Sequence, residues 1–152
     1  MPTVNEYMSA DTVTARGGER LLDAARRMRQ LHVGCLVVVE NGPHGEHRPV
    51  GILTDRDIVV GVLAQTDQKL DLLRVDDVMT RRLVSTRETD DLDDALRRMR
   101  AAGVRRAPVL DASGALKGLL SFDDLLEHLQ EQLTALTRLI GRERRHEETS
   151  RR

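Results

Sequence analysis

The chain has 152 residues, with 24 Lys and Arg against 25 Asp and Glu and a net charge of −1. That length supports one domain-sized core, and the even charge balance excludes a nucleic-acid-binding polycation. Tyr7 and Phe122 are the only Phe, Tyr or Trp residues, so there is no stacking platform for single strands.

Residues 1–14 read as a lead-in ending in a small strand around Val13. Leu21, Leu22, Ala24, Ala25, Met28 and Leu31 share one helical face, with Arg26, Arg27 and Arg29 opposite. His32 to Glu40 is rich in β-branched residues and predicts a buried strand. A turn with Pro43 and two glycines leads to a second strand, Arg48 to Leu53, and a helix, Asp55 to Ala64. Gln65 to Asp77 is polar, lacks sustained periodicity and reads as a connector. The same order then returns: strand Leu83 to Ser85, helix Asp91 to Ala102, strand Val104 to Leu110, turn Asp111 to Gly114, strand Leu116 to Leu120, helix. The last helix keeps an apolar stripe through Leu125, Leu126, Leu129, Leu133, Leu136 and Ile140. It either packs back on its own domain or extends to a partner subunit. Gly141 is expected to end it, leaving a frayed, solvated tail of Arg and Glu.

The two series are copies. Met79 to Val109 repeats Met8 to Val38 at an offset of 71 residues, with Leu21, Asp23, Ala24, Arg26, Arg27, Met28 and Arg29 returning as Leu92, Asp94, Ala95, Arg97, Arg98, Met99 and Arg100. After a slip in register, Gly51 to Asp57 (GILTDRD) returns as Gly118 to Asp124 (GLLSFDD). Two copies are too few for a solenoid. A closed pair fits: an α/β (α+β) fold of two β-α-β-β-α motifs with pseudo-twofold symmetry, packed through their small sheets, with two related clefts. Boundaries are expected at 1–64 and 78–130 for the motifs, with 65–77 as connector and 131–152 as helical extension and tail.

The most informative local pattern is Gly-apolar-apolar-Thr/Ser-x-x-Asp where each second hairpin strand meets a helix. Gly51 lets a ligand or another backbone approach the strand closely. Thr54 and Ser121 stand at a helix start, beside unpaired N–H groups and the positive end of the dipole. Asp57 and Asp124 follow one turn later and can accept both hydroxyls of a ribose. The same spacing also matches a capping box, in which both side chains serve the helix itself. A site that caps when empty and rebinds when full is compatible with both.

VDDVMT (Val75 to Thr80), the helix from Ala95 to Met99, VRRAPVLD (Val104 to Asp111) and GLLSFDD resemble the signature of a CBS domain, and the first half matches more loosely. The resemblance covers roughly residues 4–130. Two such motifs in tandem resemble a Bateman module, here expected to be a stand-alone one. The resemblance implies clefts for an adenosyl compound: AMP, ADP, ATP, S-adenosylmethionine or NAD(H). It gives Thr54 and Asp57, and Ser121 and Asp124, the ribose; Thr14 and Ser85 line the clefts, and apolar strand residues flank adenine. Arg105 and Arg106, ahead of Ala107 and Pro108, would reach the phosphates of a nucleotide held by the other repeat. Pleating sends neighbours to opposite faces, so one of the two is expected at phosphate, and which one stays open. Gly34 and Cys35 stand at the matching positions of the first copy, so a phosphorylated ligand should prefer the cleft of Thr54. The other cleft carries Asp123 in addition and would take an uncharged adenosyl group or none. The resemblance also implies a disc-like homodimer and a regulated partner protein.

No paired nucleophile and base is legible, so no enzyme activity is expected. His44, Glu46 and His47 share a turn but are too few for a closed metal site. Cys35, the single cysteine, sits in an apolar run and reads as inert core in a reducing, cytoplasmic setting. No membrane span or signal peptide is expected. The favoured reading is a cytoplasmic sensor of adenine nucleotides that signals through conformation or assembly. The rival is a ligand-free interaction module that works through its long terminal helix.

Overall fold

Apolar Leu36 and the β-branched Val37 to Val39 form the centre of β2 (Cys35–Asn41), the middle strand of a three-stranded sheet. β1 (Thr14–Arg16) lies parallel to it, with α1 (Leu21–Leu31) as the crossover, and β3 (His47–Thr54) lies antiparallel. The second sheet repeats the plan with β4 (Thr86–Arg87), α4 (Leu92–Ala102), β5 (Arg106–Leu110) and β6 (Leu116–Ser121). Even the irregularity repeats: the register shifts between Val38 and Val39 and again between Val109 and Leu110. This computed structural model describes residues 1–65, 67 and 69–150. Thr66 and Gln68 of the expected connector lie outside the described residues.

Each crossover helix buries the face that its spacing marks. Leu21, Ala24 and Met28 close over Ala15, Leu36, Val38 and Leu53, while Leu92, Ala95 and Met99 close over Ala107, Val109 and Leu120. Val37 and Val39, on the other face of β2, are equally buried, as is Pro108 of β5. The sheets are covered on both faces, with β3 against β6.

The lead-in segments cross over. Val4, Tyr7 and Met8 pack into the core of the second repeat, and Leu70, Leu73, Val75 and Met79 pack into that of the first. Val4 and Val75 are both fully buried. The crossing is fastened by backbone: Ser9 pairs with Leu119, and Thr80 pairs with Ile52. The expected polar connector therefore ends sooner than Asp77, in a 3-10 turn (Leu70–Leu72) and a short helix, α3 (Val75–Val78).

Helix ends follow local chemistry. α4 stops at Gly103 with φ 67°, and α1 stops at its counterpart His32, which holds φ 54° without glycine's freedom. The helix after β3 is α2 (Asp55–Ile58), which widens into a π turn, Val59–Leu63. α5 runs unbroken from Phe122 to Ser150, through Gly141, contrary to the expected stop. One interior glycine costs a helix about 1 kcal/mol relative to alanine, and Gly141 keeps a negative φ while its carbonyl accepts from Arg145 Nε at 3.1 Å. Among the described residues, only the first turns of α5 touch the body: Leu125 is buried, Phe122 packs on the second core, and His128 meets Tyr7 edge-on at 5.1 Å. The apolar stripe beyond does not fold back on its own domain.

The helix arginines answer neighbouring acids as their spacing suggests. Arg26 pairs with Asp23 and Arg97 with Asp94, while Arg27 reaches Glu19 at 3.0 Å and Arg98 reaches Asp90 at 2.6 Å. No described helix is long and apolar enough to cross a membrane.

Candidate functional site

The crossing of the lead-ins builds the site. Thr54 ends β3 and Asp57 lies in the first turn of α2, while Thr80 to Val84 arrive from the second lead-in and Val104 to Arg106 open β5. Together they enclose a cavity of about 170 Å³ lined by Ile52, Thr54, Asp57, Thr80, Arg82, Leu83, Val84, Val104, Arg105 and Arg106. Its lining combines the aliphatic side chains of Ile52, Leu83, Val84 and Val104 with three guanidinium groups.

Thr54 and Asp57 form a reciprocal cap. The Asp57 N–H donates to Thr54 Oγ1 at 3.1 Å, and the Thr54 N–H donates to Asp57 Oδ2 at 2.9 Å. The cap leaves chemistry to spare. The threonine hydroxyl still has its proton to donate, and the second carboxylate oxygen still has lone pairs to accept with. Capping and ligand contact are therefore not exclusive at this pair.

Both arginines reach the cavity. Arg105 precedes β5 and so escapes the pleat alternation that would send it away from Arg106. Their surroundings differ. The Arg105 guanidinium donates to Asp123 at 2.6 Å, whereas Arg106 is half-buried and makes no ion pair among the described residues. Arg82 is a lining residue that the sequence reading missed. Its signal was available: at the offset of 71, Arg82 answers to Asp11 of the first copy.

Other expected site residues lie elsewhere. A Cβ on Gly51 would stand 2.7 Å from Met79 Sδ and 3.1 Å from the Thr80 carbonyl, so the close approach this glycine permits is that of the lead-in. Pro108 is buried in β5 opposite Leu119 and does not line the cavity. Thr14 offers its carbonyl to Arg27 at 2.8 Å and Ser85 lies half-buried ahead of β4; neither lines this cavity. At the second motif the cap is looser: Ser121 Oγ accepts from the Asp123 N–H at 3.2 Å, and Asp124 is exposed. The positions matching Arg82, Arg105 and Arg106 there are Asp11, Gly34 and Cys35. Burial pushes the Cys35 thiol up, with Arg106 pulling the other way more weakly, which leaves little thiolate at neutral pH. In the turn, Glu46 is held by Arg48 at 2.9 Å and by the His44 N–H, and His47 lies 3.2 Å from Arg16. No group of three or more metal-ligating side chains occurs among the described residues.

Comparison with known proteins addresses the family and the fold. The CBS domain YhcV of Bacillus subtilis is 33% identical over 125 residues, covering 82% of this chain and 84% of the relative. The uncharacterized protein MK0525 of Methanopyrus kandleri is 29% identical over 82% of this chain, which spans only 61% of that relative's length. Among solved structures, the CBS domain protein NE2398 matches with a TM-score of 0.72 and 26% identity, over 85% of this chain and 98% of that one. The CBS domain pair of protein MJ0100, solved with 5′-methylthioadenosine and S-adenosyl-L-methionine, has the same fold: a TM-score of 0.72 at 23% identity, over 87% of this chain and 98% of that one. The family model for the CBS domain matches twice, over residues 4–64 and 75–131. Since one family model accounts for both repeats and for most of the chain between them, the protein belongs to the CBS-domain family and carries a pair of CBS domains.

Proposed function

We propose that the chain is a cytoplasmic regulatory module that binds a phosphorylated adenosyl compound in the cleft of Thr54 and Asp57 and catalyses no reaction. One observation carries the reading. The cleft gathers Arg82, Arg105 and Arg106, whereas their counterparts in the other repeat are Asp11, Gly34 and Cys35. Three guanidinium groups, one of them paired with Asp123, suit phosphate oxygens, which they can hold bidentately. Aliphatic Ile52, Leu83, Val84 and Val104 suit the faces of a base, and the spare hydrogen-bonding capacity of Thr54 and Asp57 suits a ribose. A cavity of about 170 Å³ holds the base end and leaves the phosphates at the rim. The same fold in the MJ0100 pair, solved with two adenosyl compounds, makes that class the first to test.

The module acts as a homodimer on a separate regulated protein. A ligand that prefers one arrangement of the two repeats shifts the population by its differential affinity, and the partner reads the shift. The cleft of Ser121 and Asp124 takes an uncharged adenosyl group or stays empty.

Calorimetric titration with AMP, ADP, ATP, S-adenosylmethionine and NADH, beside a Thr54→Ala/Asp57→Ala variant, tests this reading. Micromolar binding of a phosphorylated ligand, abolished in the variant, supports it. Silence from every ligand with folded protein favours the rival, an interaction module. The long exposed stripe of α5 is the observation on that rival's side.

A further inference from the structure

The two parallel ladders are unequal. In the first repeat, Thr14, Ala15 and Arg16 pair with Val37, Val38 and Val39. In the second, only Thr86 and Arg87 pair, with Val109 and Leu110. The missing pair is Ser85 with Pro108, which stand 71 residues after Thr14 and Val37. Its absence has a chemical cause. The Val37 N–H donates to the Val13 carbonyl at 3.0 Å, and proline has no N–H to give. The counterpart of the Val13 carbonyl is that of Val84, which accepts no hydrogen bond among the described residues. Val84 is half-buried and lines the cavity of Thr54 and Asp57. A main-chain acceptor left without a protein partner there is met by water or by a ligand. The substitution at 108 thus frees a carbonyl on the same cleft that gathers Arg82, Arg105 and Arg106, while its counterpart in the other repeat is already taken.

We propose that the Val84 carbonyl reads the base of the bound nucleotide by accepting a hydrogen bond from an exocyclic amino group, and that Pro108 keeps it free to do so. The inference rests on the nucleotide reading above and assigns its base selectivity to the main chain. The side chains of the cleft leave that task open. Ile52, Leu83, Val84 and Val104 grip the faces of any base alike, the arginines suit phosphate, and Thr54 and Asp57 suit a ribose. A carbonyl only accepts, so it separates a base that offers an amino group from one that offers none. Pro108 is buried in β5 and stands outside the cavity. It is a positioning residue that acts by withholding a donor.

Calorimetric titration of the full chain compares ATP with the 5′-triphosphate of purine riboside, which differs only in lacking the amino group of the base. Both ligands are run against the parent, against Pro108→Val, which copies the first repeat, and against Pro108→Ala, which adds the same N–H with a smaller side chain. In the parent, ATP is expected to bind roughly three- to tenfold tighter, the scale of one net hydrogen bond. In the variants the new N–H takes the carbonyl, the amide at 108 becomes protected from hydrogen exchange, and the two ligands bind alike. A purely structural role for Pro108 would weaken both ligands together and leave their ratio unmoved. Equal binding of the two by the parent overturns the inference and leaves the nucleotide reading standing. A preference that persists undiminished in both variants, with the amide at 108 protected, assigns the amino group to another acceptor and overturns it as well. Folded parent that binds neither ligand removes the nucleotide reading, and this inference with it.

Discussion

Met79 Sδ lies 2.7 Å from where a Cβ on Gly51 would stand, and at the symmetry-related place the Ser9 carbonyl lies 2.5 Å from a Cβ on Gly118. The two glycines of the shared motif thus admit the lead-ins of opposite repeats, each against a methionine sulfur and a bridge carbonyl. The carbonyl is the nearer obstacle at Gly118 (2.5 Å, with Met8 Sδ at 3.0 Å) and the farther one at Gly51 (3.1 Å). A methionine thioether can swing aside, and a carbonyl fixed in a backbone bridge cannot. Gly118→Ala is therefore expected to cost more than Gly51→Ala, with overpacking at such sites costing about 1–3 kcal/mol. Thermal denaturation of the two variants side by side checks the order. Equal melting temperatures would contradict it.

The ion pair of Arg105 with Asp123 makes the two cleft arginines unequal. Arg106→Ala should weaken a phosphorylated adenosyl ligand by about ten- to a hundredfold, the scale of a lost charged hydrogen bond. Arg105→Ala should do less, and Asp123→Asn, which releases Arg105, should strengthen binding a few-fold. Adenosine, without phosphates, should be indifferent to all three changes. Titration of the variants with both ligands reads the pattern, and an Asp123→Asn protein that binds ATP no better than the parent would count against it.

His32 occupies a left-handed helix end that the second repeat gives to Gly103. A side chain there costs about 1–2 kcal/mol. His32→Gly should raise stability by about 1 kcal/mol, less the entropy of a freer unfolded chain. An upward shift of a few degrees in melting temperature is expected at this chain length.

Asp90 ties three elements together. Its carboxylate accepts from the Arg87 N–H at 3.0 Å, from Thr86 Oγ1 at 2.9 Å and from Arg98 at 2.6 Å. The Arg87 backbone donor first, with Arg98 and Thr86 after it, holds the carboxyl below the usual aspartate range. A depressed folded-state pKa means stability that is present above the unfolded pKa and lost as pH falls through the folded one. The Asp90→Asn variant should thus trail the parent at neutral pH and converge with it in acid. Urea denaturation at pH 7, 4 and 3 measures this, and a deficit that persists undiminished at pH 3 would assign the loss to geometry rather than charge.

The repeat and its β-α-β-β-α order were legible because periodicity records which face each element buries. Leu21, Ala24 and Met28 on one side and Leu92, Ala95 and Met99 on the other say the same thing twice, and the structure buries both sets. The meeting of Thr54 and Asp57 with Arg105 and Arg106 in one cavity was legible through the family resemblance. Connectivity in space was not. Nothing local to Val4 or Val75 says which of two similar cores will take it, so the crossing of the lead-ins, and Arg82 with it, was missed. Gly51 was ambiguous for the same reason, since a close approach reads alike whether ligand or backbone makes it. Gly141 misled because one poor helix former is outvoted by the Arg and Glu residues around it.

The exchanged lead-ins bear on how this protein can be divided. A fragment ending near residue 64 would keep Val4, Tyr7 and Met8, which belong in the other repeat, and lack Val75 and Met79, which complete its own. Cutting between the repeats thus yields two pieces that each carry the other's plug. Such pieces can satisfy themselves only by trading arms, as two halves of one molecule or as two molecules. Sequence duplication and independent folding are separate properties here: the repeat is the unit of descent, and the interlocked pair is the unit of stability.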